Sequence, residues 1–277
     1  MIESFFENLN NPFFYTALTA ALLASLVSGV VGTFVTIKRL AFISGSISHA
    51  VLSGMGICLW LQRTQGIEYA TPVVGALISA LLFGVIFGWI HLRYKEREDS
   101  LIAALWAIGM AVGIIFISQT PGFNVELTSY LIGNLLWIRS ADLWILGALD
   151  ITTLCIIFAF YKHFLLICFD EEQAHLQGVP VNFFYLLLMV LISLSVVLLV
   201  NIVGVILVMM MLTIPPTIAN LFTSRLSIMI LLSVLIGALF SFIGIALAFT
   251  WNTPPGATIA LISGSAYFLG QFLKSKK

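Results

Sequence analysis

His49 is the side chain of this sequence most open to chemical use. It is the only His, Asp, Glu, Lys or Arg between residues 40 and 62, a stretch otherwise apolar or small. Neutral imidazole is a common ligand for first-row divalent metals. A polar group at that depth in an apolar helix is costly without a partner, so it is a functional candidate. The plainer reading is an imidazole bonded to a backbone carbonyl or to a serine such as Ser46 or Ser48. Asp150 is the single acid in residues 143–161. It can join His49 at a cation site or simply pair with it. Three further histidines, His91, His163 and His175, lie near charged segments and read as surface residues. Cys58, Cys155 and Cys168 stand far apart and read as small core residues rather than ligands or disulfide partners. The sequence has no HExxH, no CxxC and no GxSxG. It also lacks a phosphate-binding GxxxxGK[ST] loop, for the dipeptide Gly-Lys never occurs. Catalysis and ATP binding by this chain are therefore not expected.

The elements that hold these residues follow from composition. Apolar side chains make up 61% of the 277 residues and charged ones only 9%. A soluble domain carries about 25% charged residues, so the chain reads as an all-α, polytopic membrane bundle forming one transmembrane domain over 1–277. Twelve basic and twelve acidic side chains cancel, which excludes a generally basic, nucleic-acid-binding chain. The segment before the first apolar run carries Glu3 and Glu7 and no basic residue, unlike a secretory signal. Crossing the hydrocarbon takes about 20 residues. The uncharged runs then hold about nine transmembrane helices, with eight as the alternative count: 13–37, 41–61, 71–91, 100–118, 143–161, 182–200, 202–221, 227–249 and 257–273. The breaks inside the two longest runs are expected near Asn201 and at Trp251-Asn-Thr-Pro-Pro-Gly256. Alternating sides gathers ten of the twelve Lys and Arg residues on one face, leaving Arg63 and Arg139 on the other. The positive-inside rule makes the richer face cytoplasmic, with the N-terminus outside and the C-terminus inside. Residues 127–138 are apolar but too short to span, and are expected to form a short re-entrant or interfacial helix. Glu126 and Asp142 then fall near the external mouth, either as a weakly acidic entry or as solvated interface residues. Asp142 precedes Asp150 by two turns and shares its face. Small residues must let the apolar helices approach one another. Gly84-x-x-x-Gly88 and Gly109-x-x-x-Gly113 suit that, as does the row Ala41, Gly45, His49, Ser53.

The order of motifs resembles the permeases of metal-ion ABC importers, the zinc/manganese/iron class. Lys38-Arg-Leu-Ala-Phe-Ile-Ser-Gly-Ser-Ile-Ser-His-Ala-Val51 is similar to that family's second-helix signature. Pro121–Glu126, Tyr130–Leu136, Phe169–Gly178, Val203–Val208 with Ile214–Ala219, and Pro254–Thr258 follow in the family's order. Each piece alone is weak; together they cover nearly the whole chain. The resemblance implies a homodimer of permeases in a bacterial cytoplasmic membrane. It also implies two cytoplasmic ATPase subunits that hydrolyse ATP, an external solute-binding protein that delivers the metal, and no cofactor in this chain. It makes residues 169–178 the coupling segment, with Phe169, Asp170, Glu171, Glu172, Ala174 and Gly178 at the ATPase contact. It makes His49 a transient metal ligand, and Asp150, Glu126 and Asp142 are added as pathway candidates from the residues alone. One departure stands out: the family's second helix commonly carries an Asp four residues before the His, and here that residue is Gly45. The choice among zinc, manganese and iron stays open at this point. A different class, an ion-coupled secondary transporter with His49 and Asp150 as a relay, is the alternative.

Overall fold

The computed structural model describes residues 12–94, 98–122, 133, 135, 138 and 140–274. In chain order its helices are α1 (Pro12–Ile37), α2 (Ala41–Gln65), α3 (Pro72–Arg93), α4 (Glu98–Gln119), α5 (Ser140–Ala159), α6 (Tyr161–Phe169), α7 (Glu171–Leu176), α8 (Val181–Val203), α9 (Val205–Phe222), α10 (Leu226–Trp251) and α11 (Pro255–Lys274). No strand occurs among the described residues. Eight helices, α1–α5 and α8–α10, are long and apolar enough to cross a membrane. Helix α11, 20 residues long, occupies the expected ninth stretch. Glu126 and most of the expected re-entrant segment lie outside the described residues.

Local sequence sets the helix ends. Thr71 accepts from the Val74 amide and Pro72 opens α3, the residue type whose missing N–H costs nothing at that position. Helix α2 closes on Gly66 in the left-handed region. The long run after residue 180 breaks at Gly204 (φ 82°), three residues beyond the expected Asn201. Asparagine tolerates a helix interior, whereas glycine takes a positive φ without steric cost. The second long run ends as its turn sequence foretold. Asn252 adopts φ 53°, and the Thr253 and Thr258 hydroxyls meet at 2.8 Å.

The chain divides into two compact units. One comprises Met1–Lys38, Thr128–Phe158 and Leu199–Lys277; the other comprises Arg39–Leu127 and Ala159–Leu198. In the first, α1 packs along α9 and α10, and α11 closes on α9 and α10. The α1–α10 contact carries a polar tie: Thr33 and Ser233 hydroxyls stand 3.2 Å apart while Ser233 donates to the Met229 carbonyl. Gly133 (φ 83°) presses on the Val203–Gly204 backbone, where a Cβ would collide. In the second unit, α2 is the central helix and packs on both α3 and α4. Lipid tails are as apolar as these side chains, so close van der Waals contact holds such helices together. Both GxxxG pairs serve that contact. Gly84 and Gly88 face Ser193 and Met189 of α8, and Gly109 and Gly113 face Ala50 and Leu52 of α2.

Candidate functional site

Helix α4 reaches α2 closely because residues 109 and 113 have no Cβ. A Cβ on Gly109 would stand 2.9 Å from the Ala50 Cα. Trp106 lies about one turn before Gly109 on the same face, and the close approach lays its indole on His49, one residue before Ala50. The two rings stack with centroids 4.9 Å apart and 22° between planes. Phe42 meets the same indole edge-on at 6.1 Å, and the indole N–H donates to the Met110 sulfur at 3.1 Å. His49 is half-buried. The serines named as its plainer partners turn back on their own helix: Ser46 donates to the Phe42 carbonyl and Ser48 to that of Ser44. Among the described residues no hydrogen bond engages the imidazole nitrogens; packing orients the ring instead. A ring held by stacking on one face, with its nitrogens uncommitted, suits brief ligation of a passing cation.

Asp150 belongs to the other compact unit, so it and His49 are described separately. It is buried at 3% exposure in the middle of α5. Asp142 stands in the first turn of α5, partly exposed. Among the described residues, no group of three or more His, Cys, Asp and Glu side chains is placed to hold a metal. A sparse donor set fits transit rather than storage, since a pathway must also release its ion.

Residues 169–178 form a well-defined local structure. The Asp170 carboxylate accepts from the Gln173 amide at 2.9 Å and caps the six-residue α7. Glu171 and Glu172 occupy its first turn, where acids complement the helix dipole. Its far end closes through Gly178 (φ 78°), whose N–H donates to the His175 carbonyl, while the Val179 N–H donates to that of Ala174. Ala174 is fully buried and anchors the turn. Phe169 and Leu176, at 61% and 86% exposure, flank the acids with apolar surface. A short edge of this kind, part acidic and part apolar, suits insertion into a partner's groove.

Two histidines read as surface residues are half-buried instead. His91 stacks on Tyr185 (4.7 Å, 9°) and His163 on Phe184 (4.7 Å, 8°). Adjacent aromatics on α8 cover both, and nothing in the local sequence of either histidine announced that. His175 is exposed, as expected.

Comparison with known proteins places this geometry. The family model described as the ABC 3 transport family matches residues 10–274. The chain belongs to that family. It is a multi-pass membrane permease of an ABC importer, not itself an enzyme, and ATP hydrolysis belongs to a partner chain. The permease is 43% identical over 257 residues to a probable metal transport system membrane protein of Chlamydia pneumoniae, covering 93% of this chain and 87% of that one. It is 33% identical over 274 residues to the manganese transport system membrane protein MntC of Halalkalibacterium halodurans, covering 99% and 91%. Among solved structures it superposes on PsaBC from Streptococcus pneumoniae in complex with Fab with a TM-score of 0.84, at 31% identity, covering all of both chains. The all-helical permease fold read from the sequence is thereby established, and the missing Gly-Lys phosphate loop has its explanation: the nucleotide sits elsewhere.

Proposed function

We propose that this permease imports a divalent transition metal, with manganese foremost among manganese, zinc and iron. The observation that carries the reading is His49: a stacked, half-buried imidazole in a membrane helix with no hydrogen bond from a described residue on its nitrogens. The names of the relatives, one a manganese transport protein, support the cargo. Gly45 in place of a second-helix carboxylate leaves the imidazole and backbone as the local ligands, and nitrogen with oxygen donors suits first-row metals.

In this reading both compact units act as one permease, and two permeases enclose the path. An external binding protein delivers the ion, with Asp142 and Glu126 at the entry. Residues 169–178 dock on the ATPase, and nucleotide binding and hydrolysis there move the helices between outward and inward openings. Weak binding along the path allows release. In liposomes containing permease, ATPase and binding protein, Mn²⁺ should accumulate with ATP, and competition by Zn²⁺ and Fe²⁺ ranks the cargo. The permease by itself should accumulate nothing. Uphill Mn²⁺ uptake by the lone chain would restore the ion-coupled secondary transporter and end this reading.

The same reading sets the N-terminus outside and the C-terminus in the cytoplasm, on the ten-to-two division of basic residues. A phosphatase or fluorescent reporter fused after Lys277 should report a cytoplasmic location. An external signal would overturn the nine-span count.

A further inference from the structure

Helix α5 buries one stripe of its surface, formed by Leu146, Leu149, Asp150, Thr153 and Ile157. Two members of this apolar stripe are polar, and they lie one turn apart. Asp150 is 3% and Thr153 1% exposed. Among the described residues, neither carboxylate oxygen of Asp150 has a hydrogen-bond partner, and neither has the Thr153 hydroxyl. Among the described residues the buried Ser241 hydroxyl also lacks a partner, but the Thr153 hydroxyl departs from the usual pattern. Its neighbour Thr152 donates to the Ala148 carbonyl at 2.7 Å, and buried Thr33, Ser193, Ser195 and Ser263 likewise bond back four residues. Thr153 makes no such bond. Residues three apart on a helix bring their Cβ atoms within about 5–6 Å, so three uncommitted oxygens share one small region of the buried face. Asp150 stands eight residues from Asp142, about 12 Å along the span, and slightly farther from its other end at Ala159. A buried carboxylate there without a partner is strongly disfavoured. Among the described residues this stripe supplies neither group with a bond. Gly147, one turn before Asp150 and half-buried, has no described atom beyond its own stretch of helix within 4 Å of the position a Cβ would take.

We propose that Asp150 and Thr153 form an oxygen station within the membrane that takes one divalent cation in transit, the carboxylate supplying charge and the hydroxyl a neutral ligand. The inference rests on the metal-import reading above and adds a second station in the other compact unit. Hard oxygen donors suit Mn²⁺ better than soft cations. A carboxylate and one hydroxyl are too few ligands to trap the ion, so water or backbone oxygens complete its shell and release stays fast.

The test uses the reconstituted complex of permease, ATPase and binding protein, with Mn²⁺ and Cd²⁺ as probes. D150N should lower Mn²⁺ uptake by about tenfold or more while the permease still co-purifies with the ATPase. T153V should lower it as well, and T153S should restore it. D150C replaces a hard ligand with a soft one and should raise the ratio of Cd²⁺ to Mn²⁺ uptake by about tenfold. A purely structural Asp150 would scale both metals together, so an unchanged ratio in D150C, whatever its rate, overturns the proposal. Wild-type Mn²⁺ uptake in D150N also overturns it. If D150N fails to assemble, the D150C ratio and the T153V and T153S pair decide. Should the wild-type complex move no Mn²⁺, Zn²⁺ or Fe²⁺ at all, the metal-import reading itself falls. A wild type that moves Mn²⁺ beside unaltered variants removes this station alone.

Discussion

Replacing His49 with alanine should cut ATP-driven Mn²⁺ uptake by at least about tenfold, the loss typical when a group supporting a metal site is removed. The physical case rests on how little else the imidazole does. It makes no hydrogen bond to a described residue, and its packing role is one stacked contact with Trp106. Such a contact contributes about 0.5–1.5 kcal/mol beyond area burial. Alanine is the best helix former and matches the small residues at 41, 45 and 53 on the same row of α2. The α2–α4 contact depends on Gly109 and Gly113 meeting Ala50 and Leu52, which the substitution leaves in place. The variant should therefore insert, dimerise and hold the ATPase normally. W106F keeps an aromatic face against the imidazole and should retain most of the uptake. If His49→Ala transports at the wild-type rate, the imidazole lies off the path.

The bundle was legible where membrane physics leaves few choices. Uncharged runs of sufficient length locate α1–α4 to within a few residues, because a charge inside hydrocarbon is costly and a helix must be long enough to cross. The breaks were harder. Asn201 looked like the interruption before α9, but backbone conformation decided it at Gly204. The stretch after the fifth expected span carries Lys162 and His163, and no helix is expected there. It holds α6, whose Phe164 and Ile167 are buried. Nine residues are too few for periodicity to distinguish a short amphipathic helix from a loop with scattered apolar residues. The candidate site divides the same way. His49 was visible as a lone imidazole in an apolar run. Its neighbour Trp106 was not, since an all-apolar helix has no polar face to say which side meets α2; Gly109 and Gly113 were the available hint. Asp150 was visible, but the withheld hydroxyl of Thr153 was not. In sequence, Thr152 and Thr153 are indistinguishable.

Reversing both charges of α7, E171K with E172K, should weaken association with the ATPase by at least about tenfold, the scale expected when a docking surface meets the wrong sign of charge. Two effects are superposed and can be separated. The acids sit in the first turn, where each contributes about 0.3–1 kcal/mol against the helix dipole, so lysines there also loosen α7. The glutamine pair, E171Q with E172Q, removes the charge without reversing it and bounds that loss. The Asp170 cap, the buried Ala174 and the closure at Gly178 are untouched in both variants, so the turn should persist. Co-purification at wild-type yield with the lysine pair would separate α7 from the ATPase contact. An intermediate result with glutamine and a loss with lysine would mark the acids as the docking charge. Leu176→Asp then tests the apolar edge. At 86% exposure that leucine contributes little packing within the permease, and an acid at the helix C-terminus costs only about 0.3–1 kcal/mol, so loss of ATPase binding on its replacement points to the partner's groove.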